Sequence, residues 1–180
     1  MASVRVHAVT DYTSSVEGSD LAVEVVELER KRERPVGARF GSLVHTIFAR
    51  VDLNGDNGDV DGLRMVVDRQ VRQHGASSNE REAAYDVVQR ALNHPLMQQA
   101  ASAPEVRRET PVMYVDGAGG LVEGIVDLAF RTIDGWTVVD FKTDEDLSSQ
   151  RGTYLGQIRL YVEGVSHATG ADTKGVLFVV

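Results

Sequence analysis

The first half of the chain, after residue 38, carries apolar residues at helical spacing. In RFGSLVHTIFARVDL, which begins at Arg39, the apolar residues that recur every three or four positions are Leu43, Val44, Ile47, Phe48 and Val51. This spacing predicts a helix with one buried face. His45 lies beside this apolar stripe, so we expect it at the edge where the buried face meets a cleft.

Three more helices are predicted before residue 105. The second covers about 61–74 and the third about 79–92, since both stretches repeat apolar residues with the period of a helix. Asn79, with Glu82 three positions later, fits a capping box at the start of the third helix. A short fourth helix is expected over about 95–101.

Beyond residue 105 the period changes from helical to alternating. Three stretches, 106–116, 120–134 and 135–144, read as strands and are separated by the turn signals DGAGG and DG. Consecutive strands joined by tight turns form an antiparallel meander. A helix follows over QRGTYLGQIRLYVEGVSHATG, and the fully apolar KGVLFVV predicts a last strand at a central position in the sheet. This order indicates an α/β or α+β sheet domain.

The first 38 residues show no single period. LAVEVVELE, residues 21–29, alternates apolar and acidic positions, which suits either an exposed strand or the edge of a helix. Proline and glycine then interrupt the chain before the first clear helix. We therefore expect residues 1–38 to be an N-terminal extension or linker and residues 39–180 to form the folded domain.

Composition limits the class of protein. The chain has 180 residues, of which 42% are hydrophobic and 26% charged, and this suits one globular domain. No apolar run approaches the roughly 20 residues that cross a bilayer, so no membrane segment is expected. The absence of cysteine excludes disulfides, cysteine nucleophiles and cysteine-bound iron–sulfur clusters, and it is compatible with a reducing cytoplasm. A metal site would use His, Asp, Glu and backbone oxygens, which favours Mg²⁺ or Mn²⁺.

The net charge of −8 argues against a free-standing nucleic-acid-binding domain, because such domains usually present a basic face. The basic run ERKRERP, residues 29–35, is followed by Arg39 and offers one local patch. Runs of this kind are more often solvated linkers or helix ends, and we favour that interpretation here.

The most apolar strands of the meander contain charged residues. Asp140 and Lys142 are two positions apart in GWTVVDFKTD, so alternation turns their side chains to the same side. Asp127 lies in EGIVDLAF on the preceding strand. A buried charge is costly unless it is paired or binds a metal. Either Asp140 and Lys142 form a structural ion pair at a strand end, or they take part in a reaction.

Several polar residues together indicate a functional site more strongly than any one of them does alone. Asp127 and Asp140 lie on strands joined by a hairpin, and if they face the same side their repulsion requires a cation, either Lys142 or a divalent metal. Gln157 and Tyr161 are spaced i, i+4 on the following helix, so they share one face. Taken singly, each has an ordinary explanation as a packed or surface residue.

The order of these motifs resembles a known family. G-x-x-x-H at 41–45, G-x-x-D at 124–127, D-x-K-T at 140–143 and Q-x-x-x-Y at 157–161 are similar to the RecB-like branch of the PD-(D/E)XK nucleases. Within that branch, the nuclease domain at the C-terminal end of AddA/RecB-type helicase-nucleases is the nearest likeness. D-x-K alone occurs often by chance, whereas the ordered set, spread over 39–180, is specific.

The resemblance implies a fold and a set of metal ligands. The implied fold is a restriction-endonuclease-like α/β core, with a mixed central sheet (an antiparallel meander followed by a helix and a strand) flanked by helices. The implied metal ligands are His45, Asp127, Asp140 and the main-chain carbonyl of Phe141. Lys142 matches the lysine that orients or deprotonates the attacking water.

The resemblance also implies supporting residues. Gln157 and Tyr161 match the motif that positions the active-site groups and contacts the nucleic-acid backbone. Glu109 falls where relatives often carry a glutamate before the first strand, although the neighbouring Arg107 and Arg108 offer it ordinary ion pairs. Asp127, Asp140 and Lys142 would then be the catalytic residues of a deoxyribonuclease that depends on Mg²⁺ or Mn²⁺ and has no iron–sulfur cluster.

The expected function is that of a cytoplasmic DNA exonuclease module for repair or recombination. The resemblance implies DNA as the substrate. The chain has no G-x-x-x-x-G-K-[ST] loop, so it is not the ATP-driven motor to which its nearest likeness is usually fused, and we expect a helicase as its partner. Two alternatives stay open: a nuclease-like module that binds DNA or a partner without cutting, and an interaction scaffold in which Asp140 and Lys142 only pair. The first is favoured by the acidic charge; the retained Asp127, Asp140 and Lys142 favour the enzyme.

Overall fold

A computed structural model of the chain describes residues 6–8, 23–29, 34–53, 60–116, 119–143 and 149–180. The elements in these ranges are, in order, β1 (Val6–Ala8), β2 (Val23–Glu27), α1 (Ala38–Phe48), α2 (Val60–His74), α3 (Ser78–Leu92), α4 (Pro95–Ala101), β3 (Glu105–Val115), β4 (Leu121–Thr132), β5 (Gly135–Lys142), α5 (Arg151–Thr169) and β6 (Thr173–Val179). Among the helices in these ranges, none has the length and apolar character needed to cross a membrane.

The strands form one mixed sheet in the order β1-β4-β5-β6-β2, with β3 paired to β4. β3, β4 and β5 pair antiparallel, so the predicted meander is confirmed, and β1 pairs with β4 in parallel. β6 lies between β5 and β2, in agreement with its predicted central position. Five of its seven residues are buried, because a strand with neighbours on both sides and packing on both faces must be apolar throughout.

Two strands come from the stretch that the sequence suggested to be an extension or linker. The alternating LAVEVVELE contains strand β2, and β1 precedes it. Just after β2, the N–H of Leu28 donates a hydrogen bond of 2.9 Å to the carbonyl of Val179. Residues 6–8 and 23–27 thus belong to the sheet, while a domain boundary at residue 39 stays a prediction.

The chain divides into two compact units. The first unit contains β1, β3, β4, α5 and most of β2, β5 and β6. The second contains α1 to α4 together with the last residues of β5 and β6. β5 passes from the first unit to the second between Asp140 and Phe141, after the first residue of the D-x-K-T motif.

In the first unit, α5 packs closely on the strands through glycines. A Cβ at Gly164 of α5 would come within 2.3 Å of Cγ1 of Val112 on β3, and a Cβ at Gly175 of β6 would come equally close to Ile158 of α5. Only glycine permits these approaches. Gly170 ends the helix in the left-handed conformation (φ 66°), where glycine carries no Cβ penalty.

In the second unit, the capping box of α3 lies two residues earlier than predicted. The N-cap is Ser77 rather than Asn79: the N–H of Ser77 donates to the Glu80 carboxylate at 2.8 Å, and the Glu80 N–H donates to the Ser77 hydroxyl at 3.3 Å. The Arg39 guanidinium donates two further hydrogen bonds of 2.9 Å to the same carboxylate. The prediction from Asn79 and Glu82 was wrong because this tertiary contact favours Glu80.

Candidate active site

The two aspartates of the predicted site lie on neighbouring strands of the first unit. β4 and β5 pair in antiparallel register through Ala129↔Val138 and Leu128↔Val139, and the paired stretch ends there. Asp127 and Asp140 are the next residues on the two strands. Because side chains alternate along each strand, both carboxylates project from the same face of the sheet.

The acidic pair is poorly hydrated. Asp140 is 3% exposed, within a run of six buried residues from 136 to 141, and Asp127 is half-buried. A buried carboxylate charge is costly unless hydrogen bonds or a cation offset it.

Tyr161 and Gln157 approach the same aspartates from α5. Gln157 Nε2 donates a hydrogen bond of 3.1 Å to the hydroxyl of Tyr161. The pKa of Tyr161 is raised to about 12, mainly by burial and in smaller part by the negative charges of Asp140 and Asp127, while the hydrogen bond from Gln157 acts to lower it. Since both carboxylates act on one phenol, both lie within electrostatic reach of the Tyr161 hydroxyl.

Glu109 lies on β3 in the same unit, at a strained position. It falls between the paired positions Arg108↔Leu128 and Thr110↔Val126, on the strand next to that of Asp127. Its φ of 47° is the only positive value at a non-glycine residue in the described part of the chain. Such conformations cost on the order of 1–3 kcal/mol and persist where the surroundings enforce them, often at functional sites.

The acidic group is nevertheless a pair rather than a triad. No three His, Asp or Glu side chains of the described residues come together closely enough to hold a metal ion. The position of Glu109 in the ladder therefore does not bring its carboxylate into the group formed by Asp127 and Asp140.

His45, Phe141 and Lys142 belong to the second unit. The His45 ring on α1 meets Phe141 edge to face, with ring centres 6.4 Å apart, and Phe48 stacks on Phe141 at 4.1 Å. Phe141 is thus a core side chain, and only its main chain is available to a ligand. Lys142 is the last residue of β5, and its carbonyl accepts the N–H of Val180 at 2.9 Å.

The predicted site residues therefore fall into two groups, one in each unit, and β5 contributes residues to both. The first unit holds the side chains of Glu109, Asp127, Asp140, Gln157 and Tyr161, and the second holds those of His45, Phe141 and Lys142. The roles that the sequence suggested for these residues stay predictions.

Two arginines in and near the basic run make contacts that the sequence did not indicate. Arg34 donates a hydrogen bond to the carbonyl of Thr143 at 2.9 Å, and Arg39 binds the Glu80 carboxylate. The interpretation of this run as solvated is wrong for Arg34, which is partly buried, whereas the Arg39 side chain is 63% exposed; residues 30–33 of the run lie outside the described ranges. The partners lie 109 and 41 positions away, and no local pattern could have indicated such distant contacts.

A separate pocket of about 370 Å³ lies between α2 and α3, and none of the predicted site residues lines it. The Arg64 guanidinium there lies 5.7 Å from the centre of the Tyr85 ring, and Arg81 pairs with Asp68. Both arginines of the pocket are thus engaged by protein groups. The pocket gives no reason to move the candidate site away from the acidic pair.

Comparison with known proteins agrees with the order of the motifs. The model of the PD-(D/E)XK nuclease superfamily matches residues 21–179. An ATP-dependent helicase/nuclease subunit of Carboxydothermus hydrogenoformans is 30% identical over 155 residues, which cover 77% of this chain and 13% of that protein. The helicase/nuclease subunits of the same name from Heliobacterium modesticaldum (29% over 157 residues, 75% of this chain) and Desulforudis audaxviator (30% over 144 residues, 70%) are similar. The matched segments span only 11–13% of the length of these relatives.

Proposed function

The chain belongs to the PD-(D/E)XK nuclease superfamily, and from this membership we propose that it hydrolyses phosphodiester bonds of DNA with the help of Mg²⁺ or Mn²⁺. The observation that supports the proposal is that Asp127 and Asp140 directly follow the last pair of the β4–β5 ladder, on the same face of the sheet. A buried acidic pair is costly to a fold and suits a site that handles a cation and a phosphate.

The donor set fits a hard divalent ion. Mg²⁺ is usually held by one or two carboxylates, with water and phosphate oxygens in its other positions, so a pair of aspartates suffices. We propose the carbonyl of Phe141 and the imidazole of His45 as further ligands, and an imidazole would favour Mn²⁺. When bound, the ion would lower the pKa of water and neutralise charge that develops on the phosphate.

The chain's own groups supply orientation and charge. Lys142, two positions after Asp140 on one strand, projects to the same side and offers three N–H donors to the attacking water or to a phosphate oxygen. The neutral phenol of Tyr161 adds no charge beside the acidic pair and keeps its O–H as a donor. We propose that Tyr161 and Gln157 position the pair and contact the nucleic-acid backbone, with Glu109 in support.

We propose further that this activity belongs to a helicase-nuclease acting in DNA repair or recombination, as an exonuclease in the cytoplasm. The support is the name that the relatives carry, ATP-dependent helicase/nuclease, and this chain matches a small part of each of them. The net charge of −8 repels DNA, so a partner that delivers the strand would be useful to this chain.

Cleavage of end-labelled DNA tests the function. Single strands and blunt duplexes are incubated with the purified chain in Mg²⁺, in Mn²⁺ or in EDTA. We expect cleavage that needs a divalent ion and falls by a hundredfold or more, as an order of magnitude, in Asp140→Asn and in Lys142→Met. Asp134→Asn, which changes an exposed aspartate in the β4–β5 turn, is the matched control and should cleave normally.

The alternative function is a nuclease-like module that binds DNA or a partner without cutting it, which the acidic net charge favours. In that case the chain would bind Mn²⁺ or DNA but leave the labelled strand intact under every condition. Cleavage that is equal in wild type, Asp140→Asn and Lys142→Met would instead identify a contaminating nuclease.

A further inference from the structure

Arg34 reaches across the second unit to the end of β5. Its Nη2 donates a hydrogen bond of 2.9 Å to the carbonyl of Thr143, 109 residues further along the chain. The guanidinium carbon lies 5.8 Å from the centre of the Phe40 ring on α1, within the range of a cation–π contact. One side chain thus joins the start of α1 to the residue that follows Lys142.

Thr143 is also in contact with α1 itself. A Cβ added at Gly41 would lie 3.0 Å from Oγ1 of Thr143, which is tighter than ordinary packing. Gly41 opens the G-x-x-x-H motif and Thr143 closes the D-x-K-T motif, so the two motifs meet at this point. The contact gives a physical reason for glycine in the first turn of α1.

The two residues before Thr143 are held as well. The carbonyl of Lys142 accepts the N–H of Val180 at 2.9 Å, and the ring of Phe141 stacks on Phe48 at 4.1 Å. Three successive residues are therefore fixed by three different parts of the second unit. The side chain of Lys142 starts from a main chain that has little freedom to shift.

We propose that Arg34 is a positioning residue for Lys142. It holds the Thr143 carbonyl and so fixes the strand end from which the Lys142 side chain projects. The inference rests on the proposed nuclease function, in which Lys142 orients the attacking water. Misplacement of a reacting group by about 1 Å can cost on the order of a hundredfold in rate, so a contact that fixes the main chain matters to the reaction.

The chemistry of arginine suits this role. Its planar guanidinium can donate to a carbonyl while it lies over an aromatic ring, whereas a lysine ammonium donates without the planar stacking. Arg34→Lys should therefore keep part of the contact and Arg34→Met should lose it. Arg39→Met is the matched control, because Arg39 is a nearby arginine whose carboxylate contact, to Glu80, does not involve β5.

Amide hydrogen exchange tests the structural half of the proposal without any cleavage. In Arg34→Met, the N–H of Val180, which is bonded to the Lys142 carbonyl, should exchange faster by roughly tenfold or more. The N–H of Trp136, bonded to the Asp172 carbonyl at 2.8 Å in the first unit, should be unchanged and serves as the internal reference. Arg39→Met should leave both amides unchanged. An unaltered Val180 amide, or equal acceleration of both amides, would overturn the proposal.

Kinetics test the functional half. Arg34→Met should lower kcat by roughly a hundredfold with little change in KM, and Arg34→Lys should recover part of the loss. In the Lys142→Met background Arg34→Met should have no further effect, because the group it positions is absent. A loss of the same size in both backgrounds, or an equal loss in Arg39→Met, would show that Arg34 is only structural. Should the wild type cleave no DNA, the proposed function fails, and the exchange measurement still decides whether Arg34 fixes this strand end.

Discussion

At the scale of single residues, burial and the nearby charges of Asp140 and Asp127 change the pKa of Tyr161. Burial, together with the charges of Asp140 and Asp127, raises the pKa of this phenol to about 12 from the ordinary 10.0. A raised pKa keeps the phenol neutral, and the stability associated with the neutral phenol is present below pH 10 and lost as the pH rises through about 12.

A difference titration isolates this phenol. The absorption of tyrosinate, recorded for wild type minus Tyr161→Phe as base is added, should appear close to pH 12 rather than at pH 10.0. In Asp140→Asn the same transition should move to lower pH, since one of the negative charges that raise the pKa is gone. A wild-type transition at the ordinary pH would show that Tyr161 is neither buried nor close to the pair.

Single residues differ in how well the sequence indicates them. Asp127, Asp140 and Lys142 were conspicuous because a charge in an apolar strand needs an explanation. Arg34 was not conspicuous, because its side chain bonds a carbonyl 109 residues away and no local pattern indicates that contact. The unusual backbone of Glu109 likewise depends on its surroundings, and no motif indicates it.

At the scale of elements, the period of the apolar residues predicted most of the fold. The α/β class with a restriction-endonuclease-like core is confirmed, and β4 and β5 lie within the predicted stretches. The strand character of β2 was left open, because a half-exposed strand and a helix edge have similar patterns. The predicted capping box of α3 was wrong: the local pattern Ser77-x-x-Glu80 forms it, two residues before the pattern of Asn79 and Glu82.

The capping box of Ser77 and Glu80 predicts how a substitution in α3 changes the stability of the protein. Glu80→Gln removes the charge that Ser77 and Arg39 both bind, so it should lower the free energy of unfolding by about 1–2 kcal/mol at neutral pH. Glu82→Gln changes an exposed glutamate of the same helix and should stay within about 0.5 kcal/mol of wild type. Urea unfolding of both variants provides the comparison.

The stability difference between wild type and Glu80→Gln should depend on pH in a definite direction. Hydrogen bonds from the Ser77 backbone and hydroxyl, and then from Arg39, hold the pKa of Glu80 below its ordinary 4.5. The stability that this ionised group contributes is present above pH 4.5 and is lost as the pH falls through the lowered pKa. The difference between wild type and Glu80→Gln should therefore shrink in acid. A difference that grows in acid would contradict the capping assignment.

At the scale of the whole molecule, the ordered motifs were sufficient to identify the family, because four spaced patterns rarely coincide by chance. The division of the chain into two units was beyond the sequence, since it depends on which segments pack together rather than on any local period. The chain matches only 11–13% of the length of these relatives.

The central claim is that Asp127 and Asp140 together bind a divalent ion. Mn²⁺ binding, followed by electron paramagnetic resonance of the free ion, tests it without DNA or a partner. We predict one Mn²⁺ per wild-type chain, affinity reduced at least about tenfold in Asp127→Asn and in Asp140→Asn, and unchanged affinity in Asp134→Asn. Equal affinity in wild type and all three variants, or no binding to the wild type at millimolar ion, would contradict the claim.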